Sequence, residues 1–397
     1  MILLISACFP LVSPAEQAVP PIVKSLRSNS KFKIQNSKLK TISGSLNSPL
    51  IEDRQIKDCG GGLYPELINS KLFPFFILNF EFCLLNSKKV NPAPVTAAWQ
   101  NVQLVRTLDG HDGTVESLVF SPDSKMLISG GSDNDGKIKL WWVRTGTQID
   151  SLRAHRTAVN ALVLSPDGET LVSCSDDSGI NLWNWKTGSY TRTLLEHSSN
   201  VLALAVSADN QTLISGGLDG IRVWDLRSQR PRYILARFDA QTYALAANGD
   251  ILASGGKNGL IKLWNLNTGT EINSWLGHSN PISALVFAPD GQSVVSGSYD
   301  RSVKVWERTS GKALYHLLGH TDKIQAIAIH PSGQILASAS RDGIRLWNLP
   351  TGELLQFLSS ADGGHKDWVR SLAFSPDGLT LASGGFDKKI MLWQINF

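Results

Sequence analysis

Residues 131–138, GSDNDGKI, place two glycines five positions apart ahead of a lysine, the spacing with which backbone N–H groups cradle a phosphate. That chemistry also needs a hydroxyl after the lysine, and Ile138 stands there; the run lies between two short apolar stretches, as a hairpin turn would, and does not open a helix. The same residues offer Asp133 and Asp135 ahead of Gly136 in the manner of a calcium loop, but the first ligand position is Gly131. Neither a G-x-S-x-G nucleophile elbow nor an H-E-x-x-H zinc motif occurs. The four cysteines, Cys8, Cys59, Cys83 and Cys174, form no Cys-x-x-Cys pair, and Cys174 reads as a small buried strand residue. Of eight histidines, His111, His155, His197, His278, His320 and His365 recur at one place in a repeated stretch, which assigns them to structure; His316 and His330 have no carboxylate or serine in an obvious relation. No catalytic residue, metal or cofactor is expected.

The elements that hold these residues repeat. The segment VESLVFSPDSKMLISGGSDNDGKIKLW, residues 115–141, recurs as VNALVLSPDGETLVSCSDDSGINLW at 159–183 and as VRSLAFSPDGLTLASGGFDKKIMLW at 369–393. Seven such units end on Trp141, Trp183, Trp224, Trp264, Trp306, Trp347 and Trp393, a period of 40 to 46 residues. Within each, three runs of β-branched and aliphatic residues are separated by Ser-Pro-Asp-Gly and then Asp-Gly, or variants of these. In Pro166-Asp167-Gly168, proline presets φ and glycine accepts a positive φ, giving a tight antiparallel hairpin. A fourth run follows each Trp, for example residues 148–153, and ends on Gly-His, Ala-His or a variant.

Four strands per unit at this period is the signature of propeller blades, and the chain resembles the WD-repeat (WD40) family over about 295 of its 397 residues. The naming Trp-Asp pair is complete only at Trp224-Asp225. The resemblance implies a network in each blade of the His before the first strand, a Ser or Thr on the second strand, an Asp at the following tip and the Trp. Carried over, it is complete as His155, Ser175, Asp177 and Trp183, and as His278, Ser298, Asp300 and Trp306. A buried indole N–H and imidazole each need a partner, so such a chain of bonds pins the blade. The first unit leaves Asp133 and Asp135 as rivals; Gly217, Gly256 and Gly385 stand for the Ser in the third, fourth and seventh; and the fourth has Asp239 for His and Asn258 for Asp, which predicts the least rigid blade.

Only four residues follow Trp393, too few for a fourth strand, whereas residues 103–108, QLVRTL, look like fourth strands and precede the first Gly110-His111. They are expected to pair with residues 390–393 and close the ring, which removes an exposed edge. The fold class is thus all-β, a seven-bladed WD40 β-propeller over residues 96–397 closed by an N-terminal strand. Residues 1–95 are a low-complexity or targeting segment, expected to be disordered outside the propeller. Residues 72–85 are apolar but only 14 long and contain Asn79 and Glu81, so no membrane span is expected. Residues 1–15 resemble a signal peptide without a basic n-region, so a cytoplasmic location is favoured over export. Residues 1–100 hold 11 of the 38 Lys+Arg and 6 of the 34 Asp+Glu, leaving 27 against 28 in the repeats; a neutral propeller excludes a nucleic-acid partner.

The resemblance further implies binding at the narrow face around the central channel. Channel-mouth positions are Glu116, Asn160, Leu202, Ala244, Ser283, Gln325 and Arg370, and the tips before the network Asp add Asp176, Leu218, Lys257, Tyr299, Arg341 and Phe386. Tyr and Arg are the types that dominate binding hot spots. The function expected is a non-catalytic, monomeric scaffold for protein or peptide ligands; the alternative is a propeller enzyme or small-ligand binder using the channel, which clustered His and carboxylates at the mouth would favour, and only Glu116 and Asp176 qualify.

Overall fold

Burial falls in steps along each repeat. The computed structural model describes residues 95–132, 134–237 and 241–395. First strands such as Val115–Phe120, Val159–Leu164 and Val369–Phe374 are buried at every position, second strands nearly so, and fourth strands such as Gln148–Arg153 are mostly exposed. The last three residues of those first strands are an unbroken apolar run, as a strand covered on both faces requires, and the polar residues nearer the strand starts, Glu116, Asn160 and Arg370 among them, are buried as well. These first strands contact one another in succession, from the first unit through the seventh and back to the first, so they line the axis of a closed ring. Each of the seven sheets is a four-stranded antiparallel meander.

Adjacent blades pack by a small residue on the second strand receiving an apolar side chain from the next first strand. A Cβ placed on Gly130 would lie 2.7 Å from Val159 Cγ1, so the two blades approach as closely as they do only because that atom is missing. Cys174 holds the same place in the second blade; it is fully buried, and burial pushes its thiol well above the usual range, which keeps it an inert packing group.

The Ser-Pro-Asp-Gly turns are closed by the serine. In the second blade Ser165 Oγ donates to Asp167 Oδ1 at 2.5 Å and accepts from Thr170 N at 2.9 Å, while Gly168 sits at φ +70°. Where that glycine is absent, Ser124 and Asn210 take φ of 60° and bridge to the turn of the preceding blade, Asp377 N donating to Ser124 Oγ at 3.0 Å and Asp167 N to Asn210 Oδ1 at 3.1 Å.

The last blade is built from Val369–Phe374, Thr380–Gly385, Lys389–Ile395 and, as its outer strand, Val102–Asp109 from the other end of the described chain. The register runs from Val102↔Ile395 to Asp109↔Lys389 with one bulge between Leu104 and Arg106. Two further ties hold this strand. The Gln356 side chain of the sixth blade accepts from Val102 N at 2.8 Å and donates to Val102 O at 3.0 Å. Just before it, after a short helical turn at Val95–Ala98, Trp99 is 1% exposed and packs edge-on against Phe374 and His330, at 5.0 and 5.5 Å between ring centroids. The low-complexity and signal-like stretches of residues 1–94 lie outside the described residues, and among the described residues no helix is long and apolar enough to cross a membrane.

Deleting residues 101–109 removes a whole paired strand and the Gln356 tie, and leaves the Trp99 anchor with no strand to hold. The melting temperature is expected to fall by roughly 10 °C or more, at about 2–4 °C per kcal/mol for a domain of this size. A calorimetric scan that superimposes on that of the parent would disprove the seam.

Candidate functional site

Every third strand brings its Trp across the sheet to the middle of the second strand, and the indole N–H meets one serine. Trp183 Nε1 donates to Ser173 Oγ at 3.0 Å, and His155 Nε2 lies 2.8 Å from the same oxygen. His155 Nδ1 faces Asp177 at 3.2 Å. A carboxylate can only accept, so Nδ1 carries the proton; the neutral ring then accepts at Nε2 from the serine hydroxyl. The resulting relay is directional: indole to serine, serine to imidazole, imidazole to carboxylate. In the fifth blade it runs Trp306 to Ser296 at 2.7 Å, Ser296 to His278 at 2.7 Å and His278 to Asp300 at 2.8 Å. The same wiring joins Ser129, His111 and Asp135; Ser215, His197 and Asp219; Ser338, His320 and Asp342; and Ser383, His365 and Asp387.

The serines expected in this network, Ser175 and Ser298, stand two residues too far along. Ser175 Oγ instead meets Thr157 Oγ1 at 2.8 Å and accepts from Asp177 N at 3.2 Å; Ser298 Oγ donates to Pro281 O at 2.9 Å and accepts from Asp300 N at 3.1 Å. Both therefore brace the tip that carries the Asp. It follows that Gly217, Gly256 and Gly385 replace nothing: Ser215, Ser254 and Ser383 accept the indole in those blades, Trp264 donating to Ser254 at 2.8 Å. Asp135 takes the carboxylate role in the first blade. Asp133 and Asp239 lie outside the described residues, and Asn258 accepts from Leu260 N within its own turn.

Serine, histidine and aspartate in this order are also the wiring of an acyl-transfer triad. Here the serine oxygens are fully buried and already hold an indole N–H, so no substrate carbonyl reaches them. The phosphate-loop-like run is likewise spent internally, Asp135 on His111 and Lys137 on Asp112 and Asp135 at 3.2 and 3.4 Å. Among the described residues no group of three or more His, Cys, Asp or Glu is placed to hold a metal ion. His330 is buried between Ser332 and the Gly378 carbonyl, at 2.8 and 2.9 Å.

The expected channel-mouth set is a second correction, because these side chains are buried in ties between blades. Arg370 Nε and Nη2 donate to Glu116 Oε2 at 3.2 and 3.1 Å, and its Nη1 donates to Gln325 Oε1 at 2.5 Å, joining the seventh blade to the first and sixth. Asn160 donates to Val201 O at 2.9 Å and to Asp176 at 2.7 Å, and Asn200 of the third blade donates to the same Asp176 oxygen at 2.6 Å. Ser283 donates to Ile324 O at 2.6 Å, and Leu202 packs in the core. Around this closed inner ring the tips stand differently: Lys257, Arg341 and Phe386 are exposed, Leu218 and Tyr299 half-buried. The Arg370 guanidinium lies 5.5 Å from the Phe386 ring centre and the Lys323 ammonium 5.1 Å from that of Tyr299. Burial pushes the Tyr299 phenol up to about 12, so it stays a neutral donor at physiological pH.

A seven-bladed ring whose every described blade is pinned through its Trp defines a repeat propeller. The family model for the WD domain, G-beta repeat, matches residues 102–141, 146–184, 188–225, 239–265, 269–307, 311–348 and 352–394, and the chain belongs to that WD40 family. Similar curated proteins include pre-mRNA-processing factor 19 of Bos taurus, 24% identical over 192 residues, which are 47% of this chain and 29% of the relative. Periodic tryptophan protein 2 of Arabidopsis thaliana is 29% identical over 197 residues, 48% of this chain and 22% of its own length. Nuclear distribution protein PAC1 of Arthroderma otae is 24% identical over 218 residues, 47% and 38% respectively. The match thus spans well under half of each of these relatives.

Two outcomes are expected. Ser173→Ala leaves an indole N–H and an imidazole unpaired in the interior and should cost at least about 2 kcal/mol, whereas Ser175→Ala, whose partner Thr157 reaches solvent, should cost less. Urea unfolding showing equal losses, or the reverse order, would refute the relay as drawn. Burial holds His111, His197, His278 and His320 below their ordinary value against the pull of their aspartates. The unfolded chain then binds more protons, so stability is full above about pH 6.5 and is lost as pH falls toward the folded values. Burial works to raise the Asp135 carboxyl, but the hydrogen bond from His111, the nearby Lys139 ammonium and the Asp112 backbone N–H hold it at about 2, so a further loss begins below pH 3.8. Melting temperatures should decline by several degrees between pH 7 and 5; a flat profile there contradicts the neutral relay.

Proposed function

We propose that this chain is a non-catalytic protein-interaction scaffold that docks a protein or peptide segment on the tips around one mouth of the channel. The observation that carries the reading is the contrast between the two rings. The inner side chains are committed to one another, while Phe386, Arg341, Tyr299, Lys257 and Leu218 offer aromatic, cationic and apolar surface beside them. Exposed aromatics and arginine over a rigid, well-paired base are what a docking hot spot requires, since little side-chain freedom is left to lose on binding. The propeller architecture supports the same reading, because a closed ring presents seven sets of tips on one frame that does not rearrange. On this view residues 96–397 act as a monomeric unit, its seam paired within one chain, and in the cytoplasm.

The test is affinity capture from native lysate on the full chain and on a Tyr299→Ala/Arg341→Ala/Phe386→Ala variant that melts within a few degrees of it. A partner kept by the parent and lost by the variant is the expected result. Equal capture by both would move docking to another surface.

A further inference from the structure

One position separates the second blade from the other six. Two residues before each third-strand Trp stand Lys139, Asn181, Arg222, Lys262, Lys304, Arg345 and Met391, so six blades carry a long side chain at this place, five of them beside a relay, and one carries a short amide. In the first and fifth blades the lysine caps the carbonyl before the relay His, Lys139 on Gly110 and Lys304 on Gly277 at 2.8 Å. In the third and sixth the arginine pairs with the relay carboxylate, Arg222 with Asp219 Oδ2 at 2.9 Å and Arg345 with Asp342 Oδ2 at 2.6 Å. Met391 fills the place in the seventh blade and is buried.

Asn181 is too short to do either job fully. Its Nδ2 caps the equivalent carbonyl, Ala154 O, at 2.7 Å, and Thr193 donates to its Oδ1 at 2.5 Å, but among the described residues no third-strand side chain pairs with Asp177, whose partners are the His155 ring and the backbone N–H groups of Arg156 and Gly179. A cavity of about 500 Å³ opens there, lined by Arg153, His155, Arg156, Asp177, Asn181 and Leu195 among others. The Asp177 side chain is 22% exposed, against 0% for Asp135 and Asp219, 12% for Asp300, 14% for Asp387 and 15% for Asp342. On its rim Arg153 and Arg156 are exposed, and among the described residues neither enters an ion pair. Leu195 beside them is 74% exposed.

We propose that this notch seats an arginine side chain from a partner protein segment, in the place that Arg222 and Arg345 fill in their own blades. The carbonyl is already capped by Asn181, so the group left to recognise is the Asp177 carboxylate; the close internal precedents for that contact, Arg222 and Arg345 at 2.9 and 2.6 Å, are guanidinium, while the Lys139 ammonium stands 3.6 Å from Asp135. Two rim cations repel a bare positive charge, which restricts the ligand to an arginine followed by an acidic residue that meets Arg153 and Arg156. This seat uses none of the tip residues assigned to docking above, so the two readings succeed or fail separately.

The test uses the full chain and a fluorescein-labelled Gly-Arg-Glu-Gly peptide, followed by anisotropy. Asn181→Lys supplies the chain's own ammonium, as Lys139 does 3.6 Å from Asp135 in the first blade, and should weaken binding about tenfold or more without lowering the melting temperature. Replacing the peptide arginine by norleucine, or its glutamate by lysine, should do the same to the parent. Should Asn181→Lys fold poorly, Arg153→Glu/Arg156→Glu should reverse the preference between Gly-Arg-Glu-Gly and Gly-Arg-Lys-Gly. The seat is overturned by no saturable binding to the parent up to about 1 mM peptide, a limit near 4 kcal/mol of affinity. It is overturned equally by a norleucine peptide that binds as well as the arginine one, or by a folded Asn181→Lys chain, or a folded rim variant, that binds as the parent does.

Discussion

An indole N–H placed in the middle of a blade has no water to meet, and in all seven blades a second-strand serine oxygen receives it. Once that oxygen has accepted from Trp183, its own proton is directed to His155 Nε2, which fixes the imidazole as the Nδ1–H tautomer and obliges it to find a carboxylate. Asp177 then also takes the backbone N–H of Arg156, the residue after the histidine, at 3.2 Å. Ser198 N, Ser279 N and Thr321 N make the same bond to Asp219, Asp300 and Asp342. One buried donor thus sets the third strand, the second strand, the tip and the turn from the previous blade in a single geometry. Breaking the chain anywhere strands a polar group inside, where its desolvation is uncompensated.

Repetition of that geometry brings the first strands close enough for polar side chains to cross between blades. Arg370 reaches Glu116 on one side and Gln325 on the other, and Asp176 gathers Asn160 and Asn200. A buried ion pair of this kind is weak evidence for net stability, but it permits only one register between its elements. The inner ring therefore acts as an alignment device, and recognition is left to what projects beyond it.

The fold was legible because period and turn chemistry agree in every unit and because residues 103–108 could be matched to other fourth strands. The relay serine was misplaced by two residues for a definite reason. Side chains two apart in a strand share a face, so Ser173 and Ser175 offer the same pattern; pairing puts Leu171 opposite Trp183 and leaves Ser175 about 7 Å beyond Ser173 along the strand, out of the indole's reach. The signal was present nonetheless, since serine occupies the first of these positions in all seven units and the second in only three. The inner-ring ties were hidden differently. Glu116 and Arg370 lie 254 residues apart, and only the closed ring brings them together. The blade-2 notch needed the structure as well, because Asn181 differs from its counterparts in length and the consequence is an opening, which sequence does not display.

The seam has a consequence in time. The strand Val102–Asp109 is made before any of the seven first strands, yet its partner Lys389–Ile395 is made last. During synthesis it has a ladder edge and no mate while six blades form behind it, and the outermost strand of the nascent sheet array offers the same open edge at the other end. The Trp99 anchor is in the same position, since Phe374 and His330 come late as well. The ring therefore closes only when Lys389–Ile395 is in place, and that strand decides whether the arc before it finds its own beginning or that of a neighbouring copy.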